Sequence, residues 1–292
     1  MVGCQFQLSG LGHERGYLIT LSLPVFLDAM SPVSPHPLIE MRNVTVMRGR
    51  KVALDQFNLR IGVDEHVAIL GPNGCGKSTL IKTVTRECYP VHREDSSISI
   101  LGEESWDVFQ LRRRLGIVSN DLMFSCTGEA CGRDVVLSGF FSSTAIWPNH
   151  HVDAQKRELA DAALAELKIS HLAERPVSEM SSGEARRVLI ARALVHRPHA
   201  LLFDEPCNSL DLAAQQSLRQ AMSSLAQAGT AVILVTHELA DIVPEIQRVV
   251  LMSGGRVVAD GSKQEILRVE RLSELFGVRL KIARRNGHYY SW

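Results

Sequence analysis

No C-x-x-C pair occurs among the six cysteines, and Cys126 and Cys131 have no nearby matching Cys/His pair, so the spacing of a zinc site is missing. No apolar run approaches the ~18 residues that a spanning helix needs, which predicts a chain that does not cross a bilayer by itself. Net charge is missing too. Lys+Arg and Asp+Glu both number 32, so bulk electrostatics gives no argument for direct nucleic-acid binding. Internal repeats, a long coiled-coil insertion and a basic linker are also absent. What is there is an ordinary globular composition. The 292 residues, 45% hydrophobic, suffice for one large domain or two small ones around a buried core.

Residues 1–37 read differently from the rest. The apolar stretch from Tyr17 to Leu27 is short and interrupted by Pro24. His13, Glu14 and Arg15 supply neither the basic start nor the cleavage site of a secretory signal. A proline-rich linker composition follows from Ser31 to Pro37. The expectation is a disordered extension with a short docking segment, or a start codon placed upstream of Met30 or Met41.

The main motif is Gly71, Pro72, Asn73, Gly74, Cys75, Gly76, Lys77, Ser78 and Thr79, which fits G-x-x-x-x-G-K-[ST]. Glycines let successive backbone N–H groups point inward at phosphate oxygens. Lys77 is placed to reach the β- and γ-phosphates, and the Ser78 hydroxyl to bind Mg²⁺. The loop has to open a helix, whose N-terminal N–H groups favour an anion. The flanks agree: His66–Leu70 is a short apolar strand and Thr79–Val84 continues as a helix. This is a nucleotide site. Cys75 lies inside it and Cys207 beside the second motif below, which suggests reduced thiols and a cytoplasmic setting.

From Leu38 onward the periodicity sets the organisation. Ile39–Val46 and Ala53–Ile61 alternate as strands joined by the basic turn Arg48–Lys51. Ser97–Leu101 and Leu115–Ser119 read as strands, with a helix ending at Arg112–Arg114 between them. That arginine run is a solvated helix end rather than a nucleic-acid patch. Asp153–Leu167 carries Leu159, Ala160, Ala163, Leu164 and Leu167 on one helical face. Strand and helix then alternate: Ala200–Phe203, Leu212–Ala228, Ala231–Val235, Glu238–Val243 and Arg248–Met252. This pattern predicts a mainly parallel sheet covered on both faces. Gly254 and Gly255 turn the chain into a strand from Arg256 to Ala259, and Asn286-Gly287 predicts a hairpin near the end.

The second motif is the apolar run Leu201–Phe203 ending in Asp204, Glu205 and Pro206. A strand-end carboxylate is what a phosphate-loop fold uses to hold Mg²⁺ opposite the loop, which assigns Asp204. Glu205 is then placed to polarise a water for attack on the γ-phosphate.

Met180, Ser181, Ser182, Gly183 and Glu184 resemble the signature of the ATP-binding cassette (ABC) ATPases, usually L-S-G-G-Q. Asn208–Asp211 resembles the family's D-loop, and His237 its switch histidine. The resemblance covers Leu38 to the C-terminus. It implies an α/β P-loop NTPase with a mainly parallel sheet, an antiparallel β subdomain, a helical subdomain inserted at about 121–180 and a C-terminal hairpin at 277–292. It implies ATP and Mg²⁺ as ligands, with Glu205, His237 and Lys77 in catalysis. Cassettes of this family pair head to tail, so Ser181, Ser182, Gly183 and Asp211 would serve the ATP of a second copy or a paralogous ATPase subunit. A transmembrane permease would dock on the helical subdomain, with Phe140, Phe141, Ile146 and Trp147 as anchors. The protein would then lie in the cytoplasm, peripheral on the inner face of the cell membrane.

Four positions depart from the family pattern. Ser182 and Glu184 stand where Gly and Gln are usual. Asn120 occupies the place of the Q-loop glutamine, one methylene shorter toward Mg²⁺ or the attacking water. Arg48 stands where an aromatic usually stacks on adenine, and a guanidinium plane can also stack on a base. Two function classes follow. One is the ATPase subunit of a transporter, importer-type by weak resemblance at 135–141 and 284–288. The other is a soluble cassette ATPase of repair, translation or regulation. A P-loop kinase leaves the signature and His237 without a role.

Overall fold

The computed structural model describes residues 36–125 and 129–292. The expectations for residues 1–35 and for Cys126 lie outside the described residues.

The chain runs β1 (Ile39–Arg48), β2 (Lys51–Ile61), β3 (Val67–Leu70), α1 (Lys77–Val84), β4 (Ser97–Ile100), α2 (Val108–Arg114) and β5 (Leu115–Val118). A helical stretch follows: α3 (Asn120–Ser125), α4 (Gly132–Ser138), α5 (Ala154–Glu166) and α6 (Ser182–Leu194). Then come β6 (Ala200–Asp204), α7 (Leu212–Gln227), β7 (Ala231–Thr236), β8 (Arg248–Ser253), β9 (Arg256–Ser262), α8 (Lys263–Ile266), α9 (Val269–Phe276), β10 (Ile282–Arg285) and β11 (His288–Ser291). Side-chain caps start most of the longer helices. Asp107, Asp153 and Asp211 accept backbone N–H groups at the starts of α2, α5 and α7, and Ser181 does so at α6.

The main sheet has the order β5-β6-β7-β3-β8-β9, parallel except for β9. A smaller antiparallel sheet has the order β2-β1-β4, and β10 pairs with β11 as a hairpin. Side chains on a strand alternate between faces, and β3 displays the consequence. Ala68 and Leu70 join one core with α4, α5, α6 and α7, while Val67 and Ile69 join another with β1, β2, β4 and α1. Both faces of the sheet are therefore buried, which is why its strands read as continuous apolar runs rather than alternating ones. α6 is buried nearly all round, through Val188, Leu189, Ile190, Ala191 and Leu194, as expected of a helix with neighbours on every side.

One close-packed cradle places the phosphate-type loop. The turn between β8 and β9 and the start of β2 press against its back. Gly255 donates its N–H to the Cys75 carbonyl at 2.9 Å, and Asp55 donates to the Gly255 carbonyl at 2.9 Å. Gly76 has φ of 111°, and a Cβ there would lie 2.5 Å from the Ala53 carbonyl oxygen. At Gly255, with φ of 79°, a Cβ would lie 2.7 Å from the same oxygen. Side chains are excluded at both positions by backbone, which cannot rotate aside.

Two expectations differ in detail. The sequence pattern predicts a helix over Glu238–Val243, but only a 3₁₀ turn forms at Leu239–Asp241. Ile242 is already extended, and Pro244 disfavours helical geometry at Val243 before it. On α5, Ala160, Ala163 and Leu164 are buried and Leu167 packs with them, whereas Leu159 is half-buried at the edge of the face. The hairpin at Asn286-Gly287 forms with both residues at positive φ, 50° and 80°, as a two-residue turn requires.

The cradle generates a stability prediction. Gly255→Ala should cost about 2 kcal/mol, from a positive φ combined with the backbone clash. Gly254→Ala in the same turn meets no atom within 4 Å and should cost only about 1 kcal/mol. Urea unfolding of the two variants compares them directly. Equal costs would mean that the cradle yields.

Candidate functional site

The loop leaves β3 at Gly71, whose N–H donates to the Thr236 carbonyl at 3.4 Å, and enters α1 at Lys77. The Lys77 side chain is 4% exposed. Its Nζ donates to the carbonyls of Gly71 at 2.8 Å and Pro72 at 3.1 Å, and lies 3.3 Å from Glu205 Oε1. Asn73, Gly74 and Ser78 face solvent, while Pro72, Gly76 and Thr79 are half-buried. The Cys75 thiol is buried and its pKa is raised by desolvation, which keeps it protonated and inert.

Glu205 and Asp204 arrive from the end of β6. Glu205 sits at φ of 47°, a left-handed conformation costly for a non-glycine residue, anchored by its N–H to the Val235 carbonyl at 2.8 Å. Its Oε1 also lies 3.3 Å from His237 Nδ1, in contact but off the line of a hydrogen bond. Lys77, Glu205 and His237 thus form one cluster drawn from α1, the end of β6 and the end of β7. Asp204 is pushed up to about 6, first by burial and then by Glu205 and Asp121, against the opposing pull of Lys77 and Lys82.

Hard oxygen donors and a half-buried carboxylate crowded by two others fit a small divalent cation. Among the described residues no group of three or more His, Cys, Asp and Glu side chains could enclose a metal. A cation held by Ser78 and Asp204 would therefore take its remaining ligands from water and phosphate, as Mg²⁺ usually does.

A network that the sequence reading missed holds the His237 segment. Thr236 Oγ1 donates to Asp241 Oδ2 at 3.2 Å and accepts the Glu238 N–H at 3.0 Å. Asp241 is 1% exposed, and Arg219 Nε from α7 donates to its Oδ1 at 2.9 Å. No motif marks Arg219. Its only sequence-level signal is a lone arginine on an otherwise apolar and polar helix face.

The remaining predicted site residues lie elsewhere. Ser181 starts α6, its Oγ accepting the Glu184 N–H at 3.3 Å while Glu184 Oε2 accepts the Ser181 N–H at 2.8 Å. This reciprocal box accounts for Glu184 in place of glutamine, since either side chain can accept that bond. Buried Gly183 lets α6 approach α7, because a Cβ would lie 2.7 Å from that of Ala214. Ser182 is exposed. Among the described residues no hydrogen bond or ion pair joins Ser181, Ser182 or Gly183 to the loop, Glu205 or His237. Asp211 caps its own α7, accepting the Ala214 N–H at 2.8 Å. Arg48 is exposed, and its Nη1 donates to Cys88 Sγ at 3.1 Å. Asn120 opens α3, but its side chain lies outside the described residues.

A cleft of about 330 Å³ opens beside Asp204, lined by Lys82, Asp121, Gly116, Arg192 and His196 among others. Phe140 is half-buried, edge-on to His196 at 5.2 Å, and Phe141 stacks on His150 at 4.2 Å. Trp147 is 56% exposed and Ile146 half-buried.

The ABC transporter family profile matches residues 54–208. The hemin import ATP-binding protein HmuV of Bradyrhizobium diazoefficiens is 33% identical over 263 residues, covering 87% of this chain and 93% of the relative. The hemin import ATP-binding protein HmuV of Rhodococcus jostii is 32% identical, covering 90% of this chain and 88% of the relative. Among solved structures, cbiO1 of Clostridium perfringens, part of the ABC transporter complex cbiONQ, superposes with a TM-score of 0.69. It is 26% identical and the match covers 82% of this chain and 94% of that one.

The crowding of Asp204 generates a pH prediction. Its folded-state pKa of about 6 exceeds the ordinary 3.8, so ionising it opposes folding. That cost is absent below pH 4, grows through the interval up to 6 and is complete above it. Asp204→Asn should therefore stabilise the ligand-free protein at pH 8 by about 2 kcal/mol and leave it unchanged at pH 3.5. Urea midpoints at the two pH values measure this, and a variant less stable at pH 8 would contradict the assignment.

Proposed function

This chain belongs to the ABC transporter family, as an ATP-binding and ATP-hydrolysing subunit coupled to transport, and on that premise we propose that it powers an importer as a head-to-tail dimer. The observation that carries the reading is the Lys77–Glu205–His237 cluster, set apart from the Ser181–Gly183 helix start in the same subunit. A single subunit then holds two half-sites, and each needs the other half from a second copy or a paralogous subunit.

In this reading the backbone N–H groups of 71–79 and the Lys77 ammonium hold the triphosphate of ATP. Ser78 and Asp204 would hold Mg²⁺, which neutralises charge on the β- and γ-phosphate oxygens. Glu205 accepts the proton of the attacking water, and the strained backbone at Glu205 fixes the carboxylate toward the phosphate. His237 contacts the γ-phosphate, its position secured by the Thr236–Asp241–Arg219 network. Ser181, Ser182 and Gly183 donate to the γ-phosphate held by the opposite subunit, and Asp211 lies at the same junction. Asn120 reaches toward the metal and water network, and Arg48 borders the base. Arg48 would have to leave Cys88 to stack on adenine.

No described helix is long and apolar enough to cross a membrane. The membrane path therefore belongs to a permease, which docks in the cleft beside Asp204 with Phe141 and Trp147 as its apolar contacts. The subunit thus sits peripherally on the inner face of the membrane. The cargo is selected by the permease, and the hemin-import relatives make an iron porphyrin the first candidate.

Two experiments test this. Glu205→Gln should bind ATP and accumulate as an ATP-dependent dimer in gel filtration, while Lys77→Ala loses binding. Equal dimerisation with and without ATP would sink the head-to-tail arrangement. With the permease co-expressed, part of the protein should sediment with membranes and be released by detergent rather than salt. Trp147→Glu should abolish that sedimentation while ATP binding by the free subunit is retained. Wholly cytosolic wild-type protein would refute docking.

A further inference from the structure

Arg186 lies in the second turn of α6 and is 3% exposed. A guanidinium offers five N–H donors in a planar fork. Among the described residues Nε and Nη1 have no acceptor, and both are shut off from solvent. Among the described residues the only ionisable side chain near enough to act on it is Cys207, and burial, with Asp241 close by, pushes that thiol's pKa up and keeps it neutral. A buried cation without a counter-ion, two of whose three nitrogens have neither acceptor nor water, is costly for a protein to carry. The ligand-free subunit gains nothing from it.

What lies next to it suggests a use. Cys207 is the residue that leads into Asn208–Asp211. That stretch is loosely tied, by an Asn208 N–H bond to the Glu205 carbonyl at 3.2 Å and a Leu210 N–H bond to the Cys207 carbonyl at 3.3 Å. Ser209 is held at φ of 62°, and Asn208 and Ser209 are exposed. Among the described residues no hydrogen bond reaches the carbonyls of Pro206 or Asn208. Free donors and free acceptors thus border the same residue, Cys207, on two elements that the proposed dimer brings to the opposite subunit.

We propose that Arg186 is a positioning residue whose guanidinium, when two copies close on ATP, hydrogen-bonds the backbone carbonyls of the 206–209 segment and holds it against the partner. This deepens the head-to-tail reading and rests on it. The cost of the unpaired cation in the open subunit is then recovered on closure, so Arg186 favours the closed state over the open one. Arg186 touches neither the nucleotide nor the water, and acts through the shape of 206–209.

The test uses the full chain in the Glu205→Gln background, where closure is read as ATP-dependent dimerisation. Arg186→Met keeps the length and apolar stem of the side chain and removes the charge. It should raise the urea midpoint of the ligand-free subunit, by roughly 0.5 M. It should also raise the ATP concentration for half-maximal dimerisation about tenfold, because hydrogen bonds to a charged donor are lost. Arg186→Lys, with a charge but no fork, should dimerise no better than the Met variant. A destabilised or unfolded Arg186→Met protein means that the guanidinium is already satisfied, and overturns the proposal. Added stability with unaltered dimerisation overturns it too. If Glu205→Gln alone does not dimerise with ATP, the head-to-tail reading fails first and takes this inference with it.

Discussion

Lys77 and Glu205 come from distant parts of the chain and meet at 3.3 Å because β6, β7 and β3 are adjacent parallel strands that end on one edge of the sheet. In an open parallel sheet every strand delivers its C-terminal residue to the same side, and the crevice there is the place for a ligand. Glu205 follows β6, Thr236 and His237 close β7, and the loop follows β3. Moving any one of these strands by a single register step would carry its terminal group about 3.3 Å along the sheet and break the cluster. The two cores on either face hold that register, so the packing of Leu70, Phe203 and Leu234 is part of the chemistry.

The site is assembled from unfavourable pieces. A left-handed glutamate, a carboxylate beside two others and a buried arginine with unpaired donors each oppose folding of the ligand-free chain. Together they amount to several kcal/mol, a large fraction of the net stability of a domain. In the proposed function a bound cation would relieve the crowded carboxylate, and closure on a second subunit would pair the arginine. The apolar cores, which use none of these residues, are what permit the fold to hold them in waiting.

Support for the loop comes from behind as well as from its own residues. Gly255 and Ala53 are remote in sequence, yet their backbones fix the back of 71–76 by hydrogen bonds and by excluding any side chain. The hairpin between β8 and β9 therefore extends the nucleotide motif, although it carries no reactive group.

By itself the sequence determined the loop, the two carboxylates, His237 at a strand end and the start of α6, because each rests on residue types at short spacing. Glycines, a lysine, a capping serine and an apolar strand ending in acids declare their local geometry to a reader of the chain. Strand and helix order was legible for the same reason, with failure at 238–243, where Pro244 decided the outcome against a helical pattern. Tertiary structure alone decided which of these groups meet. Glu205 joins Lys77 and His237, Arg48 turns to Cys88, and Ser181 spends its N–H on Glu184 with no hydrogen bond to the loop among the described residues. Arg219, Asp241, Gly255 and Arg186 became visible only there, since their roles come from what lies across space. Local spacing encodes the shape of a segment, whereas burial and unpaired charge are properties of neighbours that the chain supplies only after it folds.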